Sequence, residues 1–75
     1  RYVGTFSGIY QGEPRSVRFS VRDGRLFAGA EPLVAQSETL FVSGLGYKFE
    51  VDDKGVATHV TEIHISGGYR YARER

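Results

Sequence analysis

Cysteine is absent from the 75 residues, so neither a disulfide staple nor a cysteine-ligated zinc is available to hold the fold. A chain this short is expected to bury only about 60% of its unfolded surface, which leaves apolar burial and closed hydrogen-bond ladders to supply the stability. No apolar run approaches the roughly 18 residues of a membrane span, and the opening Arg1-Tyr2-Val3-Gly4 has neither an initiator methionine nor a signal-peptide pattern. The chain therefore reads as one domain, residues 1–75, cut or processed from something longer. An excess of charge is missing too. Ten Lys and Arg face nine Asp and Glu, for a net charge of +1 and a pI near 8.3. That balance does not suit a protein whose affinity rests on phosphate contacts, so nucleic acid is not an expected partner. Finally, no segment has the length and period of a helix, so no second layer exists to cover an open sheet.

What the chain does have is alternation. Arg15-Ser-Val-Arg-Phe-Ser-Val-Arg22 places Val17, Phe19 and Val21 on one face, the period-two pattern of a half-buried strand. Asp23-Gly24 follows at once, a strong signal for a two-residue type I′ hairpin, and it sends Leu26-Phe27-Ala28 back along the strand. Gln11-Gly-Glu-Pro14 is turn chemistry, Gly44-Leu-Gly46 is another turn, and Asp53-Lys-Gly55 predicts a hairpin with a glycine bulge. Glu31 to Gln36 reads as one short edge strand, its proline in the first positions. From Val56 onward the apolar parity changes, with Val56, Thr58 and Val60 on one phase and Ile63 and Ile65 on the other. A one-residue slip reverses faces, so this predicts a bulge or bend near Thr61-Glu62, where Glu62 is the residue whose direction is ambiguous. Gly67-Gly68 is the last expected turn.

The fold class that follows is all-β: an antiparallel meander of about seven or eight short strands curled into a small barrel or half-barrel. The expected core is Val3, Val17, Phe19, Val21, Leu26, Leu33, Leu40, Val42, Phe49, Val51, Val60, Ile63 and Ile65.

Candidate chemistry is sparse. Six serines and the histidines His59 and His64 are present, but no Gly-x-Ser-x-Gly elbow and no Ser-x-x-Lys. The two histidines lie five apart, which puts them on opposite faces of a regular strand unless the expected bulge brings them together, and two imidazoles without a third ligand are weak grounds for zinc. Asp52-Asp53 are better explained by turn preference than as paired catalytic carboxylates, and Glu50 is placed to pair across the sheet with an arginine. Arg15, Arg18, Arg22 and Arg25 crowd one hairpin, with Tyr47, Tyr69 and Tyr71 available for stacking. Because acidic residues are interspersed, a solvated, edge-protecting role is expected for these arginines. No catalytic, cofactor-binding or metal-ligating residue is assigned.

Several stretches, Tyr2-Val-Gly-Thr-Phe6, Phe19-Ser-Val-Arg-Asp-Gly-Arg-Leu-Phe27, Glu31-Pro-Leu-Val-Ala-Gln-Ser-Glu-Thr-Leu-Phe41, Val51-Asp-Asp-Lys-Gly-Val56 and Gly67-Gly68-Tyr69, resemble a known pattern in order along the chain. It is that of the small lipocalin-like β-domain at the C-terminus of penicillin-binding-protein-like and class C β-lactamase-like serine hydrolases. The resemblance implies a C-terminal accessory module, bacterial and periplasmic or extracellular, with no chemistry and no cofactor of its own. Its partner would be a protein: the catalytic domain of the same polypeptide, which it packs on or whose substrate access it shapes, or a second copy. The expected contact residues are Tyr2, Phe6, Tyr10, Phe27, Phe41 and Tyr47. The alternative expectation is a lipocalin-like module holding a small ligand or peptide in its interior.

Overall fold

Two-residue turns set the course of this chain. The computed structural model describes residues 2–74, and these form an all-β antiparallel meander. The strands are β1 (Gly4–Tyr10), β2 (Glu13–Arg22), β3 (Arg25–Ala28), β4 (Glu31–Pro32), β5 (Val34–Ala35), β6 (Leu40–Ser43), β7 (Leu45–Val51), β8 (Ala57–His64) and β9 (Gly67–Arg73). Nine strands replace the seven or eight expected, because the Glu31 to Gln36 stretch divides around Leu33 into two pairs of residues.

Asp23 and Gly24 take φ values of 54° and 75° between the partners Arg22 and Arg25, the double positive φ of a type I′ turn. Gln11 and Gly12 repeat it, at 50° and 83°, between Tyr10 and Glu13. Strand β2 therefore starts before Pro14, which pairs with Ile9 on one side. Its other side is free, since β3 covers only Phe19 to Arg22, so the missing N–H breaks no ladder. The Asp52 carboxylate accepts the backbone N–H groups of Lys54 and Val56, both at 2.9 Å, and Gly55 has φ 77°, which is the expected bulged hairpin.

The sheet order is β4-β3-β2-β1-β9-β8-β7-β6-β5. Consecutive strands β4 and β5 thus lie at opposite edges of the sheet, and only Leu33 separates them. A sheet whose two edges are joined by one residue must roll up. The result is a nearly closed barrel, and its shortest dimension of 20 Å is about twice the thickness of a single flat layer. The seam is held by the Leu33 N–H donating to the Leu26 carbonyl at 2.9 Å, by Arg25 Nε donating to the Leu33 carbonyl at 3.1 Å, and by the Ser43 hydroxyl 3.2 Å from a Glu31 carboxylate oxygen.

Aromatic rings fill the interior. Phe19 packs edge-to-face on Phe6, Tyr47 and Phe49 with centroids 5.6, 5.3 and 4.9 Å away, and Tyr2 stacks on Phe49 at 4.5 Å. Each such pair contributes about 0.5–1.5 kcal/mol beyond its buried area. Val17, Leu26, Leu33 and Val60 join them as expected, whereas Phe6, Tyr47, Ala57 and Tyr71 belong to the core without having been assigned to it. Pairing explains Phe6: it lies opposite Val17 and so shares the inner face. Val3 and Ile9, of the other parity, are exposed. Val21 is also exposed, because β1 stops pairing with β2 at Phe19 and the hairpin projects past the barrel rim. Leu40 and Val42 are half-buried on the parity opposite to Phe41, which faces Tyr47, and Val51 is exposed at the end of β7.

The expected bend at Thr61-Glu62 does not occur, since β8 runs without interruption through both residues. The register shifts one hairpin end away, where Glu50 faces His59 and Val51 faces Ala57, leaving Thr58 as the extra residue. Ile63 therefore points outward, and Ile65 stands fully exposed in the last turn, Ile65-Ser66, with Gly67 and Gly68 already in β9. Glu62 takes the inner position.

Gly8 sits between β2 and the Tyr71 ring, and a Cβ there would meet Tyr71 Cδ1 at 2.7 Å and the Arg70 carbonyl at 3.0 Å. Gly8→Ala is therefore expected to destabilise the domain by about 1–3 kcal/mol. Gly46→Ala, whose Cβ meets only Ile63 at ordinary contact distance, should leave the urea midpoint nearly unchanged.

Candidate functional site

One buried charge organises one end of the barrel. Glu62 on β8 is fully buried, and its cross-strand neighbours are Tyr47 on β7 and Tyr69 on β9. From β2, Arg15 reaches in over Gly8: Nε donates to Oε1 at 2.9 Å and Nη2 to Oε2 at 2.8 Å, a bidentate pair. The Tyr71 hydroxyl donates to Oε1 at 2.7 Å and the Tyr47 hydroxyl to Oε2 at 3.2 Å. These four donors match the roughly four lone-pair sites of a carboxylate, so Glu62 has no open position left.

His64 closes the cluster from above. Its Nε2 lies 3.0 Å from Glu62 Oε1 but without hydrogen-bond alignment, so the contact is one of charge when the ring is protonated. The ring packs against Tyr10 and Tyr69 at 4.8 and 5.4 Å, and the Arg15 guanidinium lies 5.3 Å over Tyr10.

The electrostatics follow from this geometry. Burial alone would raise the Glu62 pKa, but hydrogen bonding from Arg15, the contact with His64 and the Tyr71 hydroxyl outweigh it and bring the carboxyl down to about 2. Tyr47 is pushed up to about 12, first by burial and then by the Glu62 charge, and Tyr71 is raised for the same reasons. Arg15 is held more firmly protonated by its hydrogen bond to Glu62. A depression from 4.5 to about 2 corresponds to roughly 3 kcal/mol of native-state stabilisation at neutral pH. A domain of this size has about 4–11 kcal/mol in total, so this pair matters to the whole fold.

The remaining candidates are dispersed. His59 is on the outer face, its Nδ1 3.0 Å from the Thr58 hydroxyl, so the regular strand keeps the two histidines apart. Among the described residues no group of three His, Cys, Asp or Glu side chains is placed to hold a metal ion. Glu50 pairs with Arg70 as its position predicted, Nε to Oε2 at 2.7 Å and Nη2 to Oε1 at 2.9 Å, on an exposed face where solvent screens the interaction. Of the six proposed contact residues, Phe6 and Tyr47 are core residues and present no surface, because cross-strand pairing turns both inward. Tyr2, Tyr10 and Phe41 are half-buried against that core, and Phe27 lies half-buried under Arg22. Periodicity missed the Glu62 cluster because its key partner, Arg15, is 47 residues away. The tyrosine spacing of β9 and the odd parity of Glu62 were the available signals.

Arg15→Met is expected to destabilise the domain by about 3–5 kcal/mol at pH 7, since it strands a buried carboxylate. The pH dependence should also change sign. In the native chain the Glu62 pKa is depressed, so its contribution is present above about 4.5 and is lost as pH falls toward 2. In Arg15→Met, burial is opposed only by the weaker donors, so the variant should gain stability as pH falls through the raised pKa; urea denaturation between about pH 7 and pH 3 reads both slopes. On the alkaline side, the raised pKa of Tyr47 predicts stability present below about 10 and lost as pH rises through 12, a loss that Tyr47→Phe should diminish.

Comparison of the chain with protein-family models, with curated proteins and with solved structures finds no match, which leaves the chemistry of the site itself as the basis for a functional reading.

Proposed function

We propose that this domain is a non-catalytic accessory module that acts by protein contact, docking on or assisting a serine hydrolase domain of the β-lactamase-like kind. The observation that carries the non-catalytic reading is the saturation of Glu62: the one fully buried ionised side chain among the described residues has all its acceptor capacity taken up by Arg15, Tyr47 and Tyr71. A general base or nucleophile needs a free lone pair directed at substrate. Here the carboxylate acts as a tie between β2, β7, β8 and β9. The resemblance noted in the sequence supplies the hydrolase neighbour.

The exposed apolar residues offer a contact surface. Ile63 lies on the outer face between the glycines Gly46 and Gly68, Ile65 is fully exposed at the adjoining turn, and both line an open recess with Leu45 and His64. Flanking glycines leave the isoleucine side chains standing clear of the sheet. The alternative, a ligand-holding barrel, gains no support from an interior occupied by Phe6, Phe19, Phe49 and Tyr71.

The purified chain is expected to hydrolyse neither nitrocefin nor D-amino-acid p-nitroanilides, and turnover abolished by Glu62→Gln would refute the non-catalytic reading. Added in trans to a β-lactamase-like serine hydrolase catalytic domain, it should form a complex in analytical ultracentrifugation. Ile63→Asp/Ile65→Asp should weaken that complex by about tenfold or more, as loss of two apolar contacts implies. Affinity unchanged by the double variant would place the contact elsewhere.

A further inference from the structure

The described arginines divide into two sets. Arg15 and Arg70 are in bidentate pairs with Glu62 and Glu50, and Arg73 donates to the backbone carbonyls of Ala57 and Val3. Arg18, Arg22 and Arg25 have no carboxylate partner among the described residues, although all three are exposed. Arg18 and Arg22 are on one face of β2, and Arg25 on β3 is the cross-strand partner of Arg22, so the three project from one side of the hairpin. Like charges directly opposite each other in a sheet are destabilising, and among the described residues no carboxylate offsets the Arg22–Arg25 pair.

Two of these side chains are held in place. The Arg22 guanidinium lies over the Phe27 ring, 4.2 Å from its centroid, and Arg25 Nε donates to the Leu33 carbonyl. Both residues are exposed, and each guanidinium has N–H groups beyond these contacts on a side chain already held, which lowers the entropy cost of taking an anion. Alternate residues on a strand are about 7 Å apart, so Arg18 and Arg22 present charges about 13 Å apart along the hairpin. An extended acidic peptide spans the same distance between side chains four residues apart on one face.

From this geometry we infer that the outer face of the β2–β3 hairpin binds a short, extended acidic segment of a protein partner, with carboxylates four residues apart meeting Arg18 at one end and the Arg22/Arg25 pair at the other. The inference rests on the protein-contact reading and specifies the chemistry of the partner. A single-stranded nucleic acid fits less well. Base stacking needs an open ring face, and the ring on this surface, Phe27, is already covered by Arg22.

The test is NMR titration of the full chain with a seven-residue peptide of alternating glutamate and threonine and, separately, with oligo-dT. The glutamate peptide should shift the side-chain Nε–Hε resonances of Arg22 and Arg25 but not those of Arg15, and its affinity should fall about fivefold between about 20 and 300 mM NaCl, as exposed ion pairs require. Arg18→Gln/Arg22→Gln, which keeps the Arg25 contact with the Leu33 carbonyl, should weaken peptide binding, read at the Arg25 Nε–Hε resonance, by about fivefold or more while the thermal midpoint stays close to that of the native chain. Absence of shifts with the peptide, or tighter binding of oligo-dT at the same residues, would overturn the inference. If the peptide fails but the hydrolase complex forms and withstands the double substitution, the accessory reading stands and only the acidic-segment inference is lost.

Discussion

The bidentate contact between Arg15 and Glu62 is the constraint on which this barrel depends. It joins the first hairpin to the penultimate strand across the interior, at the end where β1 and β9 pair over only two residue positions. Without it, a fully buried carboxylate would have to find a proton or water, and a domain with few kcal/mol in reserve would meet a cost of similar size. The hydroxyls of Tyr47 and Tyr71 complete its shell, and their rings extend the aromatic packing of Phe6, Phe19 and Phe49 toward that end. Charge satisfaction and apolar packing are therefore served by the same side chains. Gly8 completes the arrangement by leaving room for Tyr71.

That economy bears on function. A buried ionised group with perturbed neighbours is ordinarily a reason to look for catalysis. Here the perturbation of Glu62 runs toward a permanently ionised, fully coordinated state, the opposite of a base poised near neutral pH. The surface is where unsatisfied chemistry remains: the isoleucines beside the last hairpin and the arginines of β2–β3. Both are consistent with the contact role proposed above.

Local chemistry was legible in the sequence. Asp23-Gly24, the glycine bulge at Gly55 and the alternation of β2 and β7 reported turns and faces correctly, since each is decided within a few residues. The first strand was harder because both parities carry apolar residues, Val3 and Ile9 on one and Phe6 on the other, and only pairing with Val17 decides between them. The last hairpin misled for a related reason. A buried glutamate breaks the hydrophobic pattern of an unbroken strand, so Ile63 and Ile65 imitated a change of phase that the backbone never makes. The real irregularity, at Thr58, lies where the apolar pattern gave no sign of it.

Nuclear magnetic resonance titration of the Glu62 side-chain carboxyl carbon in the folded chain tests the central claim most directly. The account predicts an inflection at about 2, with the fold destabilised by roughly 3 kcal/mol as that proton is taken up. An inflection at or above the ordinary 4.5 in a chain that remains folded would contradict it, since Glu62 would then be neither saturated by its donors nor the charge that ties the barrel together.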